Sequence, residues 1–175
     1  MPAAETRPLR VVSGGQTGVD RGALDAALDL GVPCGGWCPA GRLAEDGVIP
    51  ARYPVTELRG AGYEERTRKN VEDSDGTLIV TFGHASGGTA HTISFCEKLA
   101  RPHLIVDGAS VTLDEAVRRA VRFVRERCIG RLNVAGPRAS GEPRAHEYAY
   151  ALIRELCLQC GVSQSRGSTP QPSAE

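Results

Sequence analysis

The chain has 175 residues, the size of one ordinary domain, and its 41% hydrophobic and 24% charged residues are typical of a globular protein. Its formal net charge is +0, which argues against general nucleic-acid binding, because a basic excess supplies most of the affinity of such proteins. No apolar run approaches the roughly 20 residues of a membrane span, and Met1 to Pro8 lacks a signal-peptide core. We therefore expect a cytoplasmic protein that binds neither nucleic acid nor a membrane.

The first part of the chain has the pattern of a strand, a glycine-rich loop and a helix. Residues 9–12 form a short apolar strand signal, and Asp20 is predicted as the N-cap of a helix that ends at Gly31. Further short strands are predicted over residues 32–39 and 55–58, with an irregular segment from Arg42 to Tyr53 between them.

The second part of the chain continues this alternation. Helices are predicted at 63–71, from the end of the glycine-rich stretch 83–92 to about 100, at 112–128 with a capping box, and at 143–160. Strands are predicted at 77–82, 103–106 and 132–135. Alternating strands and helices indicate one Rossmann-like α/β domain over residues 9–160, with a mostly parallel sheet and helices on both faces. We expect residues 1–8 to be flexible and residues 161–175 to be disordered.

Three glycine-rich loops are predicted to leave strands and enter helices, namely 13–18, 83–89 and 136–141. Ligands of open α/β sheets bind at this edge, where glycine lets a phosphate approach the backbone and helix N-termini offer free N–H groups. The three loops therefore predict a site for a phosphate-bearing ligand, although each is also compatible with a tight turn. None is a Walker A loop or a complete Gly-x-Gly-x-x-Gly motif. The predicted ligand-binding residues are Gly14, Gly15, Gln16, Thr17, Gly18, Asp20, Arg21, Gly87, Gly88, Thr89, Thr92, Gly136 and Arg138.

Other polar residues near these loops are weaker candidates. Arg42 is a further candidate phosphate ligand beside Arg21 and Arg138, and Asp107 is a candidate partner of a sugar or a ring nitrogen. Glu45 and Asp46 belong to a loop that could fold over the site. Each has an ordinary alternative as a solvated or turn residue. Histidines flank the second loop, and they too are compatible with either interpretation; these are His84 and His91.

The cysteines allow two interpretations. Cys34 and Cys38 form one pair, and Cys157 and Cys160 form a C-x-x-C pair, so that four thiolates in principle suffice for zinc. The pairs are far apart in sequence, and buried small hydrophobic side chains are the better explanation. We therefore expect no structural metal.

The run from Ser13 to Arg21, Ser-Gly-Gly-Gln-Thr-Gly-Val-Asp-Arg, resembles the opening of the "putative molybdenum carrier" family, the circularly permuted YpsA branch of the SLOG superfamily. The resemblance extends over about residues 9–160. Further matching stretches are 35–39, 41–42, 44–47, 49–50, Tyr53, 66–67, 70–71, 73–79, 87–89, Thr92 and 133–138.

The resemblance implies a modified Rossmann fold and a homodimer or homotetramer. It also implies a ligand such as molybdenum cofactor, a pterin that carries a phosphate and is associated with an algal member, or a nucleotide, which the wider superfamily is thought to bind. Molybdenum would then be held by the pterin dithiolene, without a direct protein ligand. The first hypothesis is accordingly a carrier or sensor of molybdenum cofactor or a similar phosphorylated ligand.

The second hypothesis is an enzyme, a phosphoribohydrolase-like N-glycosidase acting on a nucleotide monophosphate or an NAD derivative. Related LOG-type phosphoribohydrolases use a Gly-Gly-x-Gly-Thr-x-x-Glu loop, with the glutamate and an arginine in catalysis. This chain lacks the second Gly-Thr and has Ser94 where the glutamate would fall, which leaves Asp20 and Glu97 as weak acid/base candidates. Three phosphate loops without a clear acid/base pair fit a binding protein better than an enzyme. A third possibility is an oligomeric scaffold with a vestigial pocket.

Overall fold

The computed structural model describes residues 8–161, and these form one α/β domain around a six-stranded parallel sheet with the order β5-β2-β1-β8-β6-β7. The sheet strands are β1 (Arg10–Val12), β2 (Cys34–Cys38), β5 (Val55–Glu57), β6 (Gly76–Thr81), β7 (His103–Asp107) and β8 (Arg131–Ala135). A separate antiparallel hairpin comprises β3 (Leu43–Ala44) and β4 (Gly47–Val48). The helices are α1 (Val19–Asp29), α2 (Tyr63–Glu72), α3 (Gly87–Lys98), α4 (Leu113–Glu126) and α5 (Ala145–Cys160).

Helices cover both faces of the sheet, as the sequence predicts. Helices α1, α4 and α5 pack side by side on one face, and α2 packs beside α3 on the other. Strand β6, which lies between β8 and β7, is buried at all six positions, and this explains its run of apolar and β-branched residues. Helix α4 turns its alanine and valine stripe to the core, and its predicted N-cap is confirmed by a 3.3 Å hydrogen bond from the Glu115 amide to the Thr112 hydroxyl.

Three local predictions were wrong. The segment predicted as irregular contains the β3–β4 hairpin, in which Leu43 pairs with Val48. Helix α3 begins at Gly87 rather than after Thr92, because glycine tolerates the positive φ of 51° at its first position. Asp20 is not an N-cap, since α1 begins at Val19 and Asp20 is buried within its first turn.

The predictions for the two ends of the chain mostly fall on residues 1–7 and 162–175, outside the described part. Within residues 8–161, no helix is long and apolar enough to cross a membrane.

Candidate functional site

The sheet changes its direction of winding between β8 and β6. These strands are neighbours, but β8 leads to α5 on one face and β6 leads to α3 on the other, so their outgoing loops diverge. A cavity of about 400 Å³ lies where the loops separate, and the β1–α1, β6–α3 and β8–α5 loops all contribute to its lining. This is the position at which open α/β sheets bind their ligands, and the volume is within the range of small-molecule sites.

The first turn of α3 forms one wall of the cavity. Gly87 and Gly88 are exposed there, and a Cβ built on either one would meet no atom within 4 Å. Ser86, at the N-cap position, makes no side-chain cap, so it leaves the first amides of the helix without that partner. This wall therefore presents free N–H groups and the positive end of a helix dipole to open space.

A buried ion pair forms the opposite wall. The Arg66 guanidinium lies 3.3 Å from the Asp20 carboxylate, and the two side chains are only 12% and 6% exposed. The backbone N–H of Gln16 also donates to this carboxylate, at 3.2 Å. Burial raises the pKa of Asp20 above its usual value, while the Arg66 charge and the Gln16 hydrogen bond oppose that rise.

Two buried donors on this wall lack a hydrogen-bond partner. They are Nε2 of Gln16, a residue that is 6% exposed, and Nε of Arg66. Oε1 of Gln16 accepts from the Thr17 and Glu45 amides, at 3.1 and 3.0 Å, which leaves the amino group as the free half of the side chain. An unsatisfied buried donor is costly, so both atoms favour a ligand that brings acceptors to this wall.

The third wall, formed by the β8–α5 loop, already holds an anion of the chain itself. The Glu45 carboxylate accepts from the Ser140 amide at 3.1 Å, from the Ser140 hydroxyl and from the Thr17 hydroxyl, and it lies 4.0 Å from Nε of Arg138. Burial of Glu45 acts to raise its pKa, but the hydrogen bonds from Ser140 and Thr17 outweigh it, so the pKa lies below its usual value. The Arg138 guanidinium also faces the Tyr63 ring, at 5.6 Å from its centroid.

The structure brings most of the predicted ligand-binding residues together. Those that line the cavity are Gly14, Gln16, Asp20, Gly87, Gly88, Thr89, Thr92, Gly136 and Arg138. His84 also lines it, whereas His91 is exposed on α3 outside the lining.

Other predicted contacts lie outside the cavity, and each has a structural role instead. Arg21 pairs with both carboxylate oxygens of Asp46, at 2.6 and 2.8 Å, and donates to the Gly15 carbonyl. Gly15 faces the core side chains Ile49 and Val55, and Gly18 lies against the backbone of the β8–α5 loop. The Thr17 hydroxyl is engaged with Glu45.

The weaker candidates are likewise engaged elsewhere. Arg42 donates to four carbonyls between Ile49 and Val55, and Asp107 accepts from the Gly83 and Ala109 amides. Glu97 is exposed on α3 and does not line the cavity.

The cysteines differ in how deeply their side chains are buried. Cys34 and Cys38 are buried, Cys160 is partly buried, and burial raises the pKa of Cys157 to about 12. In residues 8–161 no three His, Cys, Asp or Glu side chains are grouped as a metal site would require.

Sequence reasoning missed Arg66 as a site residue. The sequence clue that could have identified it is its spacing of four residues from Asn70, which places both on the same face of α2. Asn70 is bound to the Trp37 backbone by two hydrogen bonds of 2.8 and 2.9 Å. Polar residues at i and i+4 on a helix that packs on a sheet indicate a buried polar face, and Arg66 extends that face into the cavity.

The model of the circularly permutated YpsA SLOG family matches residues 11–157. The chain belongs to this family. A crystal structure described as a "putative molybdenum carrier protein" from Syntrophus aciditrophicus is 40% identical in sequence, with a TM-score of 0.84 over 86% of this chain and 96% of that one. The search among curated proteins found no match. Membership of the family and the shared fold agree with the Rossmann-like architecture and with a ligand-binding role.

Proposed function

We propose that this family member binds a small phosphorylated ligand in the cavity, as a carrier or sensor, and that the phosphate sits on the first turn of α3. The observation that carries the proposal is the uncapped N-terminus of α3 with Gly87 and Gly88 open to the cavity. A phosphate there would accept from free backbone amides and would be stabilised by the helix dipole.

The opposite wall supports a ligand with a polar head group beyond its phosphate. Nε2 of Gln16 and Nε of Arg66 need acceptors, and the Asp20 carboxylate lies beside them as an acceptor for a donor of the ligand. A pterin and a nucleobase both present ring nitrogens and carbonyl oxygens of this kind. The donor set therefore fits molybdenum cofactor or a nucleotide.

If the ligand is molybdenum cofactor, the pterin dithiolene would supply the metal binding. The chain's own residues would hold the two ends of the molecule: the amides of α3 would hold the phosphate, and Gln16, Asp20 and Arg66 would orient the ring. The solved neighbour, described as a molybdenum carrier, supports this version of the proposal.

The experiment compares two aspartate substitutions on the same helix. Gly88→Asp places a carboxylate in the open space before the free amides, whereas the control His91→Asp adds the same charge at an exposed position outside the cavity. Binding of inorganic phosphate and of AMP is measured by ³¹P NMR titration. We expect Gly88→Asp to weaken both by at least about tenfold, and His91→Asp by less than about threefold.

Equal affinities in the two variants would contradict the assignment of the phosphate to α3. The ligand itself is identified separately, by native mass spectrometry of freshly purified protein followed by mass analysis of the released molecule. A pterin phosphate would support the carrier, and a nucleotide would support the sensor.

One observation favours a second candidate, the N-glycosidase. Asp20 is a buried carboxylate of raised pKa that lies in the cavity beside an arginine, which suits a general acid or base. Incubation with AMP, NAD and ADP-ribose tests it. Release of base or nicotinamide by the wild type and not by Asp20→Asn would establish turnover, and no release at high protein concentration would exclude it for these substrates.

The predicted homodimer or homotetramer is a further proposal. Size-exclusion chromatography with light scattering gives the mass directly, and a monomer would contradict it.

A further inference from the structure

The Glu45 carboxylate occupies the donors that a second phosphate would need. Besides the first turn of α3, the cavity wall richest in anion donors is the β8–α5 loop, with the Ser140 amide, the Ser140 hydroxyl and the Arg138 guanidinium. A carboxylate with two hydrogen bonds from Ser140, one from Thr17 and a cation nearby is held as a bound phosphate oxygen would be held. The third glycine loop is therefore an anion site filled by the chain.

The position of Glu45 is fixed by its neighbours. Glu45 and Asp46 form the tip of the β3–β4 hairpin, and the tip is tied down at both residues: the Glu45 amide donates to Gln16 at 3.0 Å, and Asp46 makes its bidentate pair with Arg21. Arg21 is itself held by the Gly15 carbonyl at 3.0 Å. These contacts join the hairpin to the β1–α1 loop and to α1, and they hold the Glu45 carboxylate in position to accept from Ser140.

A second carboxylate at this end of the cavity is also paired within the chain. Glu142 lines it, and the Arg144 hydrogen bonds lower the pKa of Glu142 to about 2, which keeps it ionised. The α3 wall presents a helix dipole and open glycines instead. The cavity thus has one end whose backbone amides are free to bind an anion and one end whose donors are already paired with carboxylates of the chain.

We propose that Glu45 is a specificity-determining residue that restricts the cavity to ligands with a single phosphate group, that is, to phosphomonoesters. A second phosphate at the β8–α5 loop would have to displace Glu45 from Ser140 and Thr17, or it would lie beside a like charge. This inference rests on the proposed function, because it takes α3 as the position of the first phosphate.

The test removes the charge of Glu45 and keeps its size. Glu45→Gln is compared with the wild type and with the control Glu64→Gln, which removes the same charge from an exposed position on α2 outside the cavity. Inorganic phosphate and pyrophosphate are titrated at constant ionic strength and followed by ³¹P NMR. We expect Glu45→Gln to tighten pyrophosphate binding at least about tenfold and to change phosphate binding less than about twofold, with no such change in Glu64→Gln.

Three results would overturn the inference: unchanged pyrophosphate affinity in Glu45→Gln, an equal gain for both anions, or the same gain in Glu64→Gln. If phosphate binding still depends on Gly88, any of these results leaves the proposed function intact. Conversely, a gain in pyrophosphate binding without any phosphate binding to the wild type would show that Glu45 keeps anions from the Ser140 donors, but it would remove the α3 site and with it the selectivity for a single phosphate. Glu45→Ala serves as a second variant under the same criteria.

Discussion

The glycines around the cavity fall into two groups with opposite surroundings. A Cβ on Gly18 would meet the backbone of Pro137 and Ala139, and one on Gly136 would meet Val19 and the Val80 carbonyl. At Gly87 and Gly88 it would meet nothing within 4 Å. The first two glycines let loops pack against each other, whereas the last two leave a helix N-terminus open.

This difference explains why glycine-rich loops of similar sequence have different roles in the structure. The β1–α1 and β8–α5 loops are pressed together, and Glu45 accepts from the Thr17 hydroxyl of the first and from Ser140 of the second. The first turn of α3 has no such anion from the chain in front of its amides. A glycine-rich loop at a strand end can therefore bind a phosphate only where no other part of the chain lies in front of its backbone amides.

The largest effect is expected from Gly18→Ala. Gly18 has a φ of +81°, and the added methyl would overlap the Pro137 carbonyl, so strain and overpacking together should cost about 3 kcal/mol in the free energy of unfolding. Urea denaturation checks it. A decrease of less than about 1 kcal/mol in the free energy of unfolding would show that the two loops separate easily. It would contradict the distinction between the packed Gly18 and the open Gly88.

Arg66→Met should cost somewhat less, about 2–3 kcal/mol at pH 7, because it removes one hydrogen-bond donor, the one that carries a positive charge, from the buried Asp20 carboxylate. Burial would then raise the pKa of Asp20 further. A carboxyl whose folded-state pKa is raised loses stability as the pH rises from its unfolded value through its folded one, so the deficit should grow from pH 4 to pH 7. Urea titrations at several pH values check this, and a deficit that does not depend on pH would contradict it.

Glu45→Gln is expected to cost less than about 1 kcal/mol, since the ion pair and hydrogen bonds it loses lie near the surface. The lowered pKa of Glu45 means that its contribution is present above the ordinary glutamate value and is lost as the pH falls through the lowered one. The difference in Tm from the wild type should therefore stay constant from pH 7 to about pH 5 and shrink below about pH 4. Thermal unfolding followed by circular dichroism measures it, and a difference that persists at pH 3 would argue against the carboxylate.

Gly88→Ala should have the smallest effect on folding. Gly88 lies within helix α3, and an added Cβ would meet no neighbouring atom. Unlike Gly87, it does not have a positive φ, so alanine fits its backbone conformation. Alanine favours a helix over glycine by roughly 0.5–1 kcal/mol, so the variant should be as stable as the wild type or slightly more so. Marked destabilisation would mean that the space before α3 is needed for packing.

The fold was predictable from sequence because its signals are local. The buried run 76–81 and the amphipathic α4 set strand and helix types directly, and their alternation set the parallel sheet. The hairpin at 43–48 was missed because strands of two residues carry almost no periodic signal.

The site was predictable only in part. The sequence marked the three loops, but it did not distinguish Gly18 from Gly88, since the difference is the presence of atoms from a segment more than a hundred residues away. Arg66 and the occupation of Ser140 by Glu45 depend on the same kind of distant contact. Tertiary packing, rather than composition, decides which loop stays vacant.

The most direct test of the α3 site is a ¹H–¹⁵N correlation spectrum of the wild-type protein during titration with inorganic phosphate. We expect saturable shifts that are largest for the backbone amides of Gly87, Gly88 and Thr89, with a smaller response at Ser140, whose amide already donates to Glu45. Shifts that are largest at Ser140, or no saturable shift in the first turn of α3, would contradict it.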